Sequence, residues 1–157
     1  MTAIANHHTL FLLEFMNRKN LSNNIARLLQ RTNTTLTSGN TPPLLSIQRE
    51  LDAYFKGTLQ TFQTPITYTG TAFQHQVWDA LQTIPFGETK SYLEQAKMLH
   101  KSSAVRAVAN ANGQNQFAIR IPCHRVIRHN NTLGGYAGGL EQKAWLIEHE
   151  QHIIRAS

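Results

Sequence analysis

The first apolar cluster, residues 9–15 (TLFLLEF), is bounded by polar residues and predicts a buried strand. Ser22 stands where it can cap a helix over residues 23–30, whose Ile25, Leu28 and Leu29 share one face. The polar run 31–41 predicts a loop closed by Pro42-Pro43. Leu44, Ile47, Leu51, Tyr54 and Phe55 then recur at spacings of three and four, a helical stripe that stops at Gly57. Residues 65–68 read as extended, and Gly70 marks the joint between two parts.

After Gly70 the signals are denser. Phe73, Val77, Ala80 and Leu81 predict a helix over residues 73–83, broken by Ile84-Pro85-Phe86-Gly87. Residues 91–99 and 104–111 predict two short helices separated by His100-Lys101-Ser102-Ser103, the layout of a helix-turn-helix. The second is slim, because Ala104, Ala107, Ala109 and Ala111 let its backbone approach a partner closely; simple helix propensity explains the same alanines. Residues 117–121 alternate and lead into Pro122-Cys123-His124-Arg125. Gly134-Gly135 and Gly138-Gly139 supply turn chemistry around Tyr136, and residues 140–151 form a closing helix.

Composition narrows the class. A chain of 157 residues, 41% hydrophobic and 15% charged, is globular, with one domain or two small ones. No stretch approaches the roughly 18 apolar residues of a membrane span. Residues 1–8 lack the basic flank and apolar run of a secretory signal. A single cysteine excludes an internal disulfide and fits a reducing, cytoplasmic setting. The net charge of +6 sits in one quarter of the chain: Lys90, Lys97, Lys101, Arg106, Arg120, Arg125 and Arg128 face Glu94 alone, and elsewhere acids balance bases. Such a footprint suits phosphate, hence nucleic acid; a solvated basic face leaves the same trace.

A lone cysteine is ordinarily a small buried hydrophobe. The neighbours of Cys123 point instead to a nucleophile. Arg120, His124, Arg125 and Arg128 bracket the thiol, and nearby positive charge favours the thiolate. Pro122 fixes the preceding backbone, and the downstream glycines allow a substrate to come close. These residues do not name the electrophile.

The stretch Ile121-Pro122-Cys123-His124-Arg125-Val126 resembles the signature of the O6-alkylguanine-DNA alkyltransferases, the methylated-DNA–protein-cysteine methyltransferases. Val77-Trp78, Ile84-Pro85-Phe86-Gly87-Glu88-Thr89, Ser91-Tyr92, Arg106-Ala107-Val108, Gly135-Tyr136-Ala137-Gly138-Gly139-Leu140 and Lys143-Ala144-Trp145-Leu146 are similar to further blocks of that family, in order, down to His149-Glu150. The resemblance implies an α/β fold. A small, shortened ribonuclease-H-like α/β domain (residues 1–69) precedes a mostly helical, winged helix-turn-helix-like domain (residues 70–157) that binds DNA and carries the active site.

It also implies a chemistry: direct reversal of damage by irreversible, one-for-one transfer of an alkyl group from O6 of guanine, or O4 of thymine, to Cys123. His124 acts through a water as base, with Glu150 orienting it. Asn115 holds the turn over the site, and Tyr92 donates its hydroxyl to the leaving base. Backbone groups at Cys123, Val126 and Ala137 read the guanine edges, and Tyr136 walls the pocket. The base leaves the stack, Arg106 enters the space, and the helix with Ala104, Ala107 and Ala111, together with Ser91, meets the minor groove. The partner implied is double-stranded DNA containing O6-alkylguanine, bound by a monomer without a cofactor, a metal or a membrane.

Three positions depart from the family pattern. Gln116 replaces a common proline, which implies a looser turn; Ala109-Asn110 replaces a glycine-containing pair; and before Gly70 only residues 9–15 read as a strand. Lesion-binding relatives without activity carry tryptophan in place of the nucleophile, unlike Cys123. A cysteine hydrolase, the other rival, gives no reason for a basic helix-turn-helix. His7-His8 and His149 with His152 have metal-like spacing without a supporting carboxylate or thiol cluster.

Overall fold

Residues 1–156 are described by the computed structural model, and their contacts separate into two units, Met1–Thr69 and the stretch from Gly70 on. In the first unit the predicted strand forms as β2 (Leu10–Glu14), paired antiparallel with β1 (Thr2–Ala5). The strand β1 was not expected from its pattern, since TAIA holds one large apolar residue and all four positions are only half-buried. Its place is set by Asn6, whose Oδ1 accepts the N–H groups of His8 (2.8 Å) and Thr9 (2.9 Å) and so closes the hairpin. Leu10 also makes a parallel bridge to Ile66, through Leu10 N–H to Pro65 O and Thr67 N–H to Leu10 O, both 2.9 Å. Residues 65–68 are thus extended, as expected, but pair at a single point. Glu14 is buried and takes an ion pair from Arg18.

Helix α1 (Leu21–Thr32) does not begin at Ser22. Asn20, in the left-handed region at φ 61°, precedes it, and no side chain caps it. Helix α2 (Pro42–Phe55) starts on the two prolines that the pattern assigned to the loop. Proline suits the first turn, where an N–H has no helical acceptor in any case. The helix ends as expected: Gly57, at φ 76°, donates to Tyr54 O at 2.9 Å. Leu10, Leu12, Leu13, Leu28, Ile47 and Tyr54 form the core of this unit.

The second unit opens with α3 (Ala72–Gln82), capped by a reciprocal pair of hydrogen bonds between Thr71 and Gln74. A two-residue strand, β3 (Lys90–Ser91), leads into α4 (Tyr92–Met98), and a turn through His100 at φ 56° leads to α5 (Val105–Gly113). The two short helices expected in the basic segment are therefore present and packed on one another. Their contact is polar at its centre: Gln95 and Asn112 exchange two amide hydrogen bonds, 3.1 and 2.6 Å, with both side chains buried. Trp78 of α3 anchors α5 by donating Nε1–H to Ala111 O at 2.9 Å. Strand β4 (Val126–Ile127) pairs in parallel with β3, and α6 (Leu140–Ala156) follows.

The alternating residues 117–121 are not extended. Phe117, Ala118, Ile119 and Ile121 are all buried, and a tight turn joins Ile121 N–H to Phe117 O at 2.9 Å. Ile119 sits at φ 70°, a strained setting for a β-branched residue. No helix among the described residues is long and apolar enough to cross a membrane.

Replacing Trp78 by Phe takes the buried indole N–H from the Ala111 carbonyl, which keeps Gln114 N–H at 3.1 Å, and opens a small void. The expected cost is about 2 kcal/mol of unfolding free energy. Urea denaturation followed by circular dichroism measures it, and a loss below about 0.5 kcal/mol would show that the bond contributes nothing net.

Candidate functional site

Pairing two residues of β3 with two of β4 has a local consequence. The residue after β3 is Tyr92, and the turn just before β4 is Cys123–Arg125, so the register Lys90↔Val126 and Ser91↔Ile127 brings the tyrosine to the cysteine. Both line a cavity of about 330 Å³, together with Ala109 and Gly113 from α5 and Tyr136 and Ala137 from the glycine-rich loop. That volume lies in the range of cavities that enclose small ligands. A cavity of similar size in the first unit, about 350 Å³, is lined by residues such as Phe11, Leu28 and Thr34 and holds no titratable side chain.

The thiol is held from behind. Asn115, only 3% exposed, donates from Nδ2 to Cys123 Sγ at 3.1 Å and to Ile121 O at 2.9 Å, while its Oδ1 accepts Phe117 N–H at 2.9 Å. One amide thereby clamps both ends of the turn that contains Gln116.

His124, next to Cys123 in the chain, is fully buried and does not line the cavity. Burial pushes its pKa below the usual value, against the pull of Glu150, whose Oε1 lies 2.8 Å from Nε2. The ring is therefore neutral near pH 7 and donates Nε2–H to the carboxylate. Nδ1 is left as an acceptor, buried and without a hydrogen-bond partner among the described residues.

Glu150 is shared more widely than its sequence position suggested. Arg125 grips it with two hydrogen bonds, Nε to Oε2 at 2.8 Å and Nη2 to Oε1 at 3.0 Å, and Gly87 N–H donates to Oε2 at 3.0 Å. Burial alone would raise this carboxyl, but hydrogen bonds from His124 and Arg125 hold it down at about 2. Gly87 is required there. Its φ is 80°, and a Cβ would meet Ile154 Cγ1 at 2.8 Å.

Two of the arginines that bracket the thiol in sequence are turned elsewhere. Arg125 is spent on Glu150 and Ile84 O, and Arg120 on Gln82. The nearby cation is Lys143, fully buried, with Nζ donating to Val126 O at 2.6 Å and Gly135 O at 3.3 Å. Burial lowers its pKa to about 8, and Cys123 opposes that fall. Lys143 was visible only as part of a matched block and carried no expected role. Its signal was a place on one face of α6 with Leu146 and Glu150, at spacings of three and four, all three buried. Tyr92 lies under the same ammonium, 5.8 Å from ring centroid to Nζ, and its hydroxyl donates to Gly135 O at 3.4 Å. Burial raises its pKa, so the phenol keeps its proton.

The expected DNA-facing residues divide. Arg106 and Ala107 are exposed on α5 and Ala104 is half-buried. Ala111 is 3% exposed and packs inward, so its side chain is not offered to a partner. The Ser91 hydroxyl is engaged in the cap of α4 with Glu94. Val126 is buried behind the cavity, and its carbonyl is taken by Lys143.

Residues 72–152 match the model of the 6-O-methylguanine DNA methyltransferase DNA-binding domain. The chain is 49% identical over 108 residues to a methylated-DNA–protein-cysteine methyltransferase of Mycobacterium leprae, covering 69% of this chain and 66% of that protein. It is 46% identical to the enzyme of that name from Shigella flexneri over 67% of this chain and 62% of the relative. The matched stretch thus falls just short of two thirds of either relative. Among solved structures, Mycobacterium tuberculosis OGT in complex with DNA superposes with a TM-score of 0.82 at 37% identity, covering 96% of this chain and 86% of that one. The Pyrococcus kodakaraensis O6-methylguanine-DNA methyltransferase gives a TM-score of 0.71 at 26% identity, over 94% and 88% of the two chains.

The state of Glu150 sets a pH dependence. Its folded pKa of about 2 lies below the ordinary 4.5, so its stabilisation is complete above pH 4.5 and drains away as pH falls towards 2. The Glu150→Gln protein should lose about 3–5 kcal/mol at neutral pH, because Arg125 stays buried without its anion. It should also show a flatter stability profile across the acid window. Denaturant titrations at a series of pH values compare the two proteins, and parallel profiles would place the proton elsewhere.

Proposed function

The chain belongs to the 6-O-methylguanine DNA methyltransferase family, and on that premise we propose that it repairs duplex DNA by direct reversal, moving the alkyl group from O6 of guanine to Cys123. The observation that carries this reading is the Cys123 thiol at the wall of a cavity of about 330 Å³, held by Asn115 at 3.1 Å, with the neutral His124 imidazole next to it in the chain and paired to the Glu150 carboxylate. The thiol proton passes through a water to His124 Nδ1, and the imidazolium so formed is stabilised by Glu150. The thiolate sulfur attacks the alkyl carbon, the bond from that carbon to O6 breaks, and its electrons stay on guanine; the base takes up one proton and the His124 imidazolium releases the one it took from the thiol, so that no proton is gained or lost overall. Tyr92, kept protonated by burial, donates to the base as that charge develops. Protonated Lys143 stabilises the thiolate from the rear.

The lesion reaches this cavity only out of the stack. Arg106, exposed on α5, fills the vacated space, and the alanine-lined face around Ala107 and Ala104 tracks the minor groove. Tyr136 and Ala137 enclose the extruded base. In this reading Met1–Thr69 is a ribonuclease-H-like domain and the second unit is the winged helix-turn-helix alkyltransferase domain. The protein acts as a cytoplasmic monomer on double-stranded DNA containing O6-alkylguanine. The product is a thioether, so one molecule clears one lesion.

Duplex DNA with one O6-methylguanine should leave a single methyl group on Cys123 at one-to-one stoichiometry, read by intact and peptide mass spectrometry. Cys123→Ser should abolish transfer and keep lesion binding, and His124→Ala should slow single-turnover transfer by about 10²–10⁴-fold. Multiple turnover, or methylation at another residue, contradicts the mechanism.

A further inference from the structure

A second, wider cavity of about 520 Å³ adjoins the one that holds Cys123, and the two share Tyr92, Ala109 and Gly135. Arg106, Arg128 and His129 line it, beside the apolar Leu93 and Val105. Other arginines of this unit are engaged: Arg125 by Glu150, Arg120 by Gln82 and Arg155 by Gln151. The guanidinium groups of Arg106 and Arg128, both exposed, meet no carboxylate and no hydrogen-bond acceptor among the described residues. A concave surface with two uncompensated guanidiniums on its rim is built for an anion.

Arg128 is also placed rather than merely present. Its backbone closes a short turn, with N–H to Thr132 O at 2.8 Å and Asn131 N–H to its carbonyl at 3.0 Å, and Asn130 Oδ1 accepts the Thr132 hydroxyl at 2.7 Å. The stem of Arg128 lies over Gly134, where an added Cβ would stand 3.5 Å from Arg128 Cγ and 3.0 Å from the Tyr92 ring. The arginine is thus stacked above the shared wall of the two cavities, and its charge is felt by both Tyr92 and Lys143.

We propose that Arg128 anchors a phosphodiester adjoining the extruded nucleotide, the outer cavity being a phosphate site that positions the base in the inner one. This rests on the alkyl-transfer reading. A base turned out of the helix remains tied to its strand, so with the base against Cys123 a neighbouring phosphate must lie at the mouth, on the rim that the two cavities share. A guanidinium there offers a two-pronged contact that an ammonium cannot. Arg128 acts through position and does not touch the reacting atoms.

The test is a cycle of single-turnover transfer rates. Duplexes carry O6-methylguanine with a neutral methylphosphonate at the linkage 5′ or 3′ to the lesion, and the protein is either unaltered or Arg128→Ala. One neutral linkage should slow the unaltered protein about tenfold, Arg128→Ala should slow the ordinary duplex by a similar factor, and the two losses should not multiply. The ratio of the rate on duplex to that on the nucleoside O6-methyl-2′-deoxyguanosine, which has no phosphate, should fall by the same factor in Arg128→Ala. Losses that multiply, or an equal slowing on nucleoside and duplex, overturn the phosphate anchor while the repair reading stands. Failure of the unaltered protein to methylate Cys123 from either substrate overturns the repair reading and the anchor with it.

Discussion

The second unit is organised around one buried carboxylate. Glu150, on α6, receives His124 and Arg125 from the turn that carries the thiol and Gly87 from the break after α3. A lone buried carboxylate is expensive, and this one is tolerated because a fixed guanidinium, an imidazole N–H and a backbone N–H surround it. The bonds from the same three donor groups settle other matters. They consume Arg125, they fix the His124 tautomer with Nδ1 as the acceptor, and they oblige residue 87 to be glycine. Structure and chemistry here are one constraint.

Around that centre, charge and geometry come from different elements. The parallel pairing of β3 and β4 sets where Tyr92 and Cys123 meet, while α6 sends Lys143 to Val126 O and Gly135 O. Burial brings Lys143 towards neutrality and keeps Tyr92 protonated, so the wall behind the thiol holds one titrating cation and one dependable donor. Asn115 completes it from a turn in which the strained Ile119 is buried.

Sequence reasoning picked out candidate residues that the structure brings together where their identity is local. Cys123, His124 and Asn115 lie in one short stretch and Glu150 ends a spaced set of blocks, and the structure brings all four together. It missed Lys143, because a lysine on a helix reads as surface until the carbonyls that receive it are known, and those belong to β4 and the glycine-rich loop rather than to the helix itself. The same limit applies to two arginines: Arg120 and Arg125 flank the thiol in the chain but are turned to Gln82 and Glu150 in space. In the fold, spacings of three and four located the helices, whereas ends set by backbone conformation escaped, as at Asn20 before α1. The alternation over residues 117–121 imitated a strand because Arg120 escapes a buried turn, and β1 was hidden because pairing, not its own composition, makes it a strand.

The placement of Lys143 and Glu150 on α6 also fixes an order of maturation. During synthesis Cys123 joins the chain before either residue that sets its electrostatic surroundings. Until α6 docks, His124 lacks its carboxylate and the thiol lacks its buried ammonium. The nascent polypeptide therefore carries a cysteine without those surroundings, and the buried ammonium and carboxylate arrive only with the folded domain.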